Sequence, residues 1–170
     1  MKKGGLLAAF ITAVLVSNAQ SSYKQAIGAR LSSNTRYDAF AASYKFFVTH
    51  PGAIELNLGV GGDNYRYNGH DRRAFGINFA GTYQHHFDIK PVPGLKWFIG
   101  GGLTMFNSSA KLDHYEGFGL GIYPTGGADY KFAKIPLNLS ADVRPTFHIT
   151  APDSYDTFYP YVGIAARYTF

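Results

Sequence analysis

The 170-residue sequence contains no cysteine. A secreted domain without disulfides must be held together by its core, by a partner or by a bilayer. Beyond the first 19 residues there is no run of about 18 apolar residues, which excludes a membrane-spanning helix. An excess of one charge is also missing. Setting aside Lys2 and Lys3 leaves 14 basic against 11 acidic side chains, and the basic ones do not cluster. That gives no nucleic-acid signal. No phosphate loop, paired catalytic carboxylates or zinc signature appears, nor any low-complexity segment, linker or long repeat. The length suits one domain.

What is present begins at the N-terminus. Lys2 and Lys3 precede an uncharged apolar run from Leu6 to Val16, and Ser17-Asn18-Ala19 supplies small residues. This order reads as a secretory signal over 1–19, cleaved before Gln20, with a mature domain over 20–170. No cysteine follows the cleavage site, so lipid attachment there is not expected.

The rest is rich in Gly (20), Phe (14) and Tyr (13). Gly and aromatics at even spacing point to all-β structure. Apolar residues alternate with small or polar ones at period 2, which predicts eight strands. They fall near 23–31, 37–47, 53–61, 74–87, 95–106, 118–132, 136–147 and 158–170. In the third, for example, Ile54, Leu56, Leu58 and Val60 alternate with Glu55, Asn57 and Gly59. Connections after the second, fourth and sixth strands are compact. Those after the third (62–73), fifth (107–117) and seventh (148–157) are longer and polar. Short turns at one end and long loops at the other characterise an up-and-down membrane barrel. The first loop, Ser32 to Arg36, is short for that rule. Pro124 interrupts the sixth strand, where it cannot donate to a ladder; a place at the outer rim, at a bulge, is expected for it.

Which face is apolar separates a membrane barrel from a soluble one. A soluble barrel turns its apolar residues inward. Here one face carries Phe, Leu, Ile, Tyr and Trp on the strands, and the other carries Gly, Ala, Ser, Thr, Asn and a few charges. The narrow interior of an eight-stranded barrel favours the small-residue face. The apolar face bears no Lys, Arg, Asp or Glu, as a hydrocarbon-facing surface requires. Aromatic residues collect at one end of the strands: Tyr44, Phe46, Tyr83, Phe87, Trp97, Tyr130, Phe132, Tyr168 and Phe170. They suit an interfacial girdle, with Phe40, Phe75, Met105, Phe118, Phe147 and Phe158 marking the other interface. The expected fold is therefore an eight-stranded antiparallel up-and-down transmembrane β-barrel.

The final segment Tyr161-Val-Gly-Ile-Ala-Ala-Arg-Tyr-Thr-Phe170 resembles the C-terminal signal of the small outer-membrane β-barrel proteins of the OmpA/OmpX type. Gly163, Arg167, Tyr168 and Phe170 match in place, whereas Ala166 stands where a larger hydrophobe is common. The segment Gly94-Leu-Lys-Trp-Phe-Ile-Gly-Gly-Gly102 is similar to a strand start in small barrels of this kind. The resemblance covers essentially the whole mature chain. It implies the cell outer membrane, contact with outer-membrane lipid, and recognition of Gly163, Tyr168 and Phe170 by the outer-membrane barrel assembly machinery. It is specific for architecture, not for activity.

The inward face places Arg30, Lys45, Lys96, Lys131, Arg144 and Arg167 against Glu55, Asp129 and Asp142. Enclosed charges need partners, so a polar network of Arg30, Lys45, Glu55, Asp129, Asp142, Arg144 and Arg167 is expected to plug the lumen. Asp142 is expected to be a central acceptor in it, served by Arg144, Arg30 or Lys131. The alternative is a narrow basic channel for small anions. A third reading, a lipid A-modifying enzyme, would use His148 with Thr150 and Asp153 or Asp156, but Thr is a hindered nucleophile. His85 and His86 face opposite sides of a strand and cannot share a metal. Asp63, His70 and Asp71 could meet a metal in a loop, although polar loops often hold such residues. The expected role is non-catalytic, envelope-structural or surface-interacting, without cofactor or metal, and the sequence names no loop partner.

Overall fold

The computed structural model describes residues 23–33, 36–67, 70–110 and 116–170. The expected signal segment 1–19 and its expected cleavage site before Gln20 lie outside these residues. The chain forms eight strands: β1 (Gln25–Ser32), β2 (Phe40–Thr49), β3 (Gly52–Tyr67), β4 (His70–Asp88), β5 (Leu95–Ser109), β6 (Gly117–Lys131), β7 (Leu137–Thr150) and β8 (Phe158–Thr169). Each pairs antiparallel with the next, and β8 pairs with β1, closing a barrel.

Period 2 places the side chains. Alternate residues point out of and into the barrel, so Leu58, Ile99 and Ile164 are 62%, 55% and 56% exposed on the outside. Their neighbours Asn57, Phe98 and Ala165 are buried within. A row of paired, outward residues runs right round the wall: Ile77, Val60, Phe40, Leu31, Ile164, Ala141, Ala128, Trp97, Phe87. The row leaves β4 at Ile77 and returns to it at Phe87, ten residues further on. Ten residues at about 3.3 Å each, set against eight strands about 4.8 Å apart, tilt the strands by about 40°. The interior is then wide enough for side chains alone.

Three expectations need correction. The stretch 62–73 is not a loop: β3 and β4 stay paired as far as Tyr67 and His70. The apolar alternation stops at Val60, but the backbone ladder does not need it. His148 and Thr150 likewise belong to the end of β7. Pro124 sits at the middle of β6, paired in register with Gly101, while the register irregularity falls at Leu120/Gly121. Between β6 and β7 the ladder shows no pairs from Ile122–Phe147 to Gly126–Val143. That register sets Pro124 opposite Pro145, which in turn pairs with Pro160. Proline lacks the N–H that a ladder bond needs. Two prolines facing each other therefore open the ladder over one stretch, and no bulge is required.

Candidate functional site: a filled lumen

Inward positions of seven strands, all but β5, converge on one network of ion pairs and hydrogen bonds. Its centre is Glu55 on β3. Arg144 Nη2 lies 2.7 Å from Glu55 Oε1 and Arg167 Nη2 lies 2.8 Å from Oε2. Lys45 and Arg30 stand at 3.8 and 3.9 Å. Asn57 and Gln84 donate to the same carboxylate at 2.9 and 3.0 Å. Glu55 is thus the most heavily served acceptor, and Asp142 is a second one beside it. Asp142 accepts both Arg30 Nη atoms, at 2.5 and 2.8 Å, and Arg144 Nε at 2.9 Å. The β7–β8 register sets Asp142 opposite Gly163 and Arg144 opposite Tyr161. Gly163 leaves the space that Arg30 occupies: a Cβ there would lie 1.8 Å from Arg30 Nη2.

Asp129 anchors the turn-side end of the network. It accepts from Lys45 Nζ at 2.5 Å and from Asn138, and His86 Nε2 stands at 3.5 Å. Arg167 also donates to Ser43 and Ser140, at 2.9 and 2.8 Å. Lys131, expected among the partners of Asp142, turns away and donates to the carbonyls of Phe132 and Ile135. Lys96 pairs with Asp88 at the rim, 3.0 Å apart, and holds that carboxyl below its usual range. In the central network, four cations (Arg30, Lys45, Arg144, Arg167) meet three carboxylates (Glu55, Asp129, Asp142), all buried.

Aromatic layers close both ends. On the turn side, Phe47 contacts Tyr23, His50 and His86, and His86 contacts Phe98. Lys45 Nζ lies 5.3 Å from the Phe98 ring centre. On the loop side, Tyr37 stacks on Phe106 with ring centres 4.0 Å apart and nearly parallel planes. His148 and Tyr155 pack against the same pair. Large aromatics therefore do enter the lumen, contrary to the expectation of a small-residue interior. Phe98 and Phe106 interrupt the apolar-out alternation of β5.

Tyr37 and Asp38 belong to no strand. Both lie in the mouth, and the connection is longer than the Ser32 to Arg36 loop expected, since β1 ends at Ser32 and β2 begins at Phe40. Both side chains are fully buried. Burial holds the Asp38 carboxyl above its ordinary range, against the pull of Arg30 and Arg144. Arg36 Nη1 donates to the Ser154 carbonyl at 2.6 Å, tying this segment to the β7–β8 loop. Sequence reasoning missed these residues. The available signal was the inner-face glycines facing a short loop, above all Gly61. A Cβ at Gly61 would lie 2.7 Å from Arg36 and Tyr37 backbone atoms, which cannot swing aside. Gly61→Ala should therefore displace the segment. Overpacking costs of about 1–3 kcal/mol would raise its open population roughly 5- to 150-fold. Trypsin cleavage after Arg36 should accelerate accordingly while the barrel stays resistant. Unchanged protection would mean that the segment is not seated through this glycine.

His148 uses both ring nitrogens. Nδ1 lies 2.6 Å from the Asp156 carbonyl, which can only accept, so Nδ1 carries the proton. Nε2 then accepts from the Tyr37 hydroxyl at 3.0 Å. Asp156 thus meets His148 through its backbone carbonyl, and Thr150 is exposed at the strand end. His86 faces inward, and the ring of His85 contacts Phe87. Of the possible loop metal group, the Asp63 side chain lies outside the described residues; no cluster of three or more metal-ligating side chains occurs among those described. On β8, Gly163 faces inward beneath Arg30, while Tyr168 and Phe170 face outward, 58% and 59% exposed. No protein-family model and no curated protein matches the sequence.

Proposed function

We propose that this protein is an integral outer-membrane barrel with a closed lumen, acting through its outer loops as a structural or surface-interaction element of the envelope. One observation carries the reading: the distribution of polarity is inverted relative to a soluble barrel. Large apolar side chains cover the outside, and the charged residues at the level of that apolar belt are gathered inside. A contiguous apolar surface of this size is not kept in water by a monomeric soluble protein. The aromatic pairs Tyr44–Phe46, Phe87–Trp97, Tyr130–Phe132 and Tyr168–Phe170 lie towards the turn end, as an interfacial girdle would. The β8 strand, with Gly163, Tyr168 and Phe170, would then be the segment read by barrel assembly machinery.

A closed lumen is favoured over a conducting one by the three stacked layers inside. An open channel would hydrate its charges, whereas Arg30, Lys45, Arg144 and Arg167 are fully buried and paired with Glu55, Asp129 and Asp142. No catalytic role follows from His148, whose ring is held by Tyr37 and a backbone carbonyl.

The test is fractionation. The mature chain should start at Gln20, sediment with outer membranes, and migrate differently on a gel before and after heating, as folded barrels do. Soluble, monomeric folded protein recovered from the periplasm without detergent would overturn the proposal.

A further inference from the structure

Much of the outer wall is bulky, and across β1, β8, β7 and β6 it carries a patch of small side chains. There outward Ala29 pairs with Ala166 and outward Ala141 with Ala128, and the two pairs sit diagonally, since Ala166 faces Leu139 and Ala141 faces Ile164. They floor an apolar groove of about 540 Å³. Leu31 and Ile164 bound it on the loop side, and Leu139 and Tyr130 on the turn side. Phe40 stands at one end and Leu95 at the other. Because the strands tilt, the groove runs obliquely across the apolar belt, from the loop end at β2 towards the turn end at β5.

The turn-side rim beside the groove is basic. The turn joining Tyr130 to Leu139 carries Lys131 and the exposed Lys134, and the neighbouring β4–β5 turn carries exposed Lys90. Lys24, ahead of β1, is exposed on the same rim. The acidic side chain among the described residues of this rim is Asp88, already paired with Lys96. A groove for a hydrocarbon chain thus ends on a rim where, among the described residues, basic side chains outnumber the acidic one.

We propose that this groove, with Lys134, is a binding site for an anionic phospholipid of the turn-side leaflet. An acyl chain lies over the alanine floor and the phosphate group meets the lysine rim. The inference rests on the membrane reading above and adds a headgroup preference to it. An apolar groove alone would accept any acyl chain; the charge complementarity selects the anionic one.

Trp97 offers a direct probe. It is the sole tryptophan of the chain, it is 45% exposed on the outer face, and it pairs with Ala128 at the end of the groove floor. Brominated acyl chains quench tryptophan fluorescence on contact. The full chain would be reconstituted into mixed vesicles of phosphatidylglycerol and phosphatidylcholine, with bromine on one lipid or the other. At equal mole fraction, brominated phosphatidylglycerol should compete for the site about fivefold better, the factor that ~1 kcal/mol for one lysine near an anionic surface represents. Lys134→Gln should bring the ratio close to one. Ala141→Leu, which fills the groove with a side chain hydrocarbon tolerates, should also lower it while heat-modifiable migration persists.

Equal quenching by both lipids in the unaltered protein would overturn the inference and leave the membrane reading standing. Quenching by neither, in a folded barrel that floats with the vesicles, would mean that a second copy of the chain covers the groove, and would overturn it too. A folded barrel that does not float with the vesicles would overturn the membrane reading itself and the inference with it.

Discussion

Glu55→Gln should be among the most destabilising substitutions in this protein, costing about 3–5 kcal/mol. That is the loss typical when one partner of a buried ion pair is removed and the opposite charge stays uncompensated. Here the exposure of the remaining charges is unusually one-sided. Arg144 and Arg167 lie within 2.8 Å of the carboxylate, with Lys45 and Arg30 within 3.9 Å. The amide has nearly the same shape, so packing is preserved and the effect isolates charge. Asp142→Asn should cost less, because Asp142 answers two arginines that also reach Glu55. The measurement is equilibrium unfolding in urea, with the protein folded in phospholipid vesicles, together with single-channel recording of the same variants. A closed lumen predicts a large stability loss. Unchanged stability accompanied by an anion-selective current would mean that water already screens these charges and that the network lines a pore.

Leu58→Arg probes the other face of the same strand, three residues from Glu55. In water, replacing a 62%-exposed leucine by arginine would be close to neutral. In hydrocarbon, an arginine near the midplane costs about 2–4 kcal/mol. The two solvents therefore give clearly different results at one position. Ala165→Ser is the control. It adds a hydroxyl to the polar interior on β8, beside outward Ile164, and should be mild. Asn57→Ala should fall between them, since Asn57 donates to Glu55 at 2.9 Å and is buried. Unfolding of all three in vesicles should rank Leu58→Arg as the most costly. Tolerance of Leu58→Arg equal to that of Ala165→Ser would mean that the outer face meets water and that the protein is not a membrane barrel.

The sequence by itself determined the eight strands and the two faces of each. Alternation is a local property: once a segment is extended, neighbouring side chains must point to opposite sides, and Leu58 is separated from Asn57 whatever surrounds them. Strand ends were less legible. Beyond Val60 the apolar pattern lapses, yet β3 and β4 remain paired to Tyr67 and His70, because a backbone ladder outside the apolar belt needs no hydrophobic face. Pro124 was misjudged because its effect depends on what stands opposite, and that is Pro145, from another strand.

Only the tertiary structure decided what fills the lumen. The ten-residue offset accumulated around the closed wall sets which inward residues share a level. It brings Arg30 to Asp142, 112 residues away, and Arg144 to Glu55, 89 residues away. No local pattern could single out Glu55 over Asp142 as the centre, since both are inward carboxylates in alternating strands. Their difference is the number of cations that closure delivers to each. The descent of Tyr37 and Asp38 into the mouth is likewise set by space that belongs to other strands, left open at Gly61 by a missing Cβ. Chain direction and face are consequences of bonds between neighbours; the partners across a barrel follow from how the whole sheet closes.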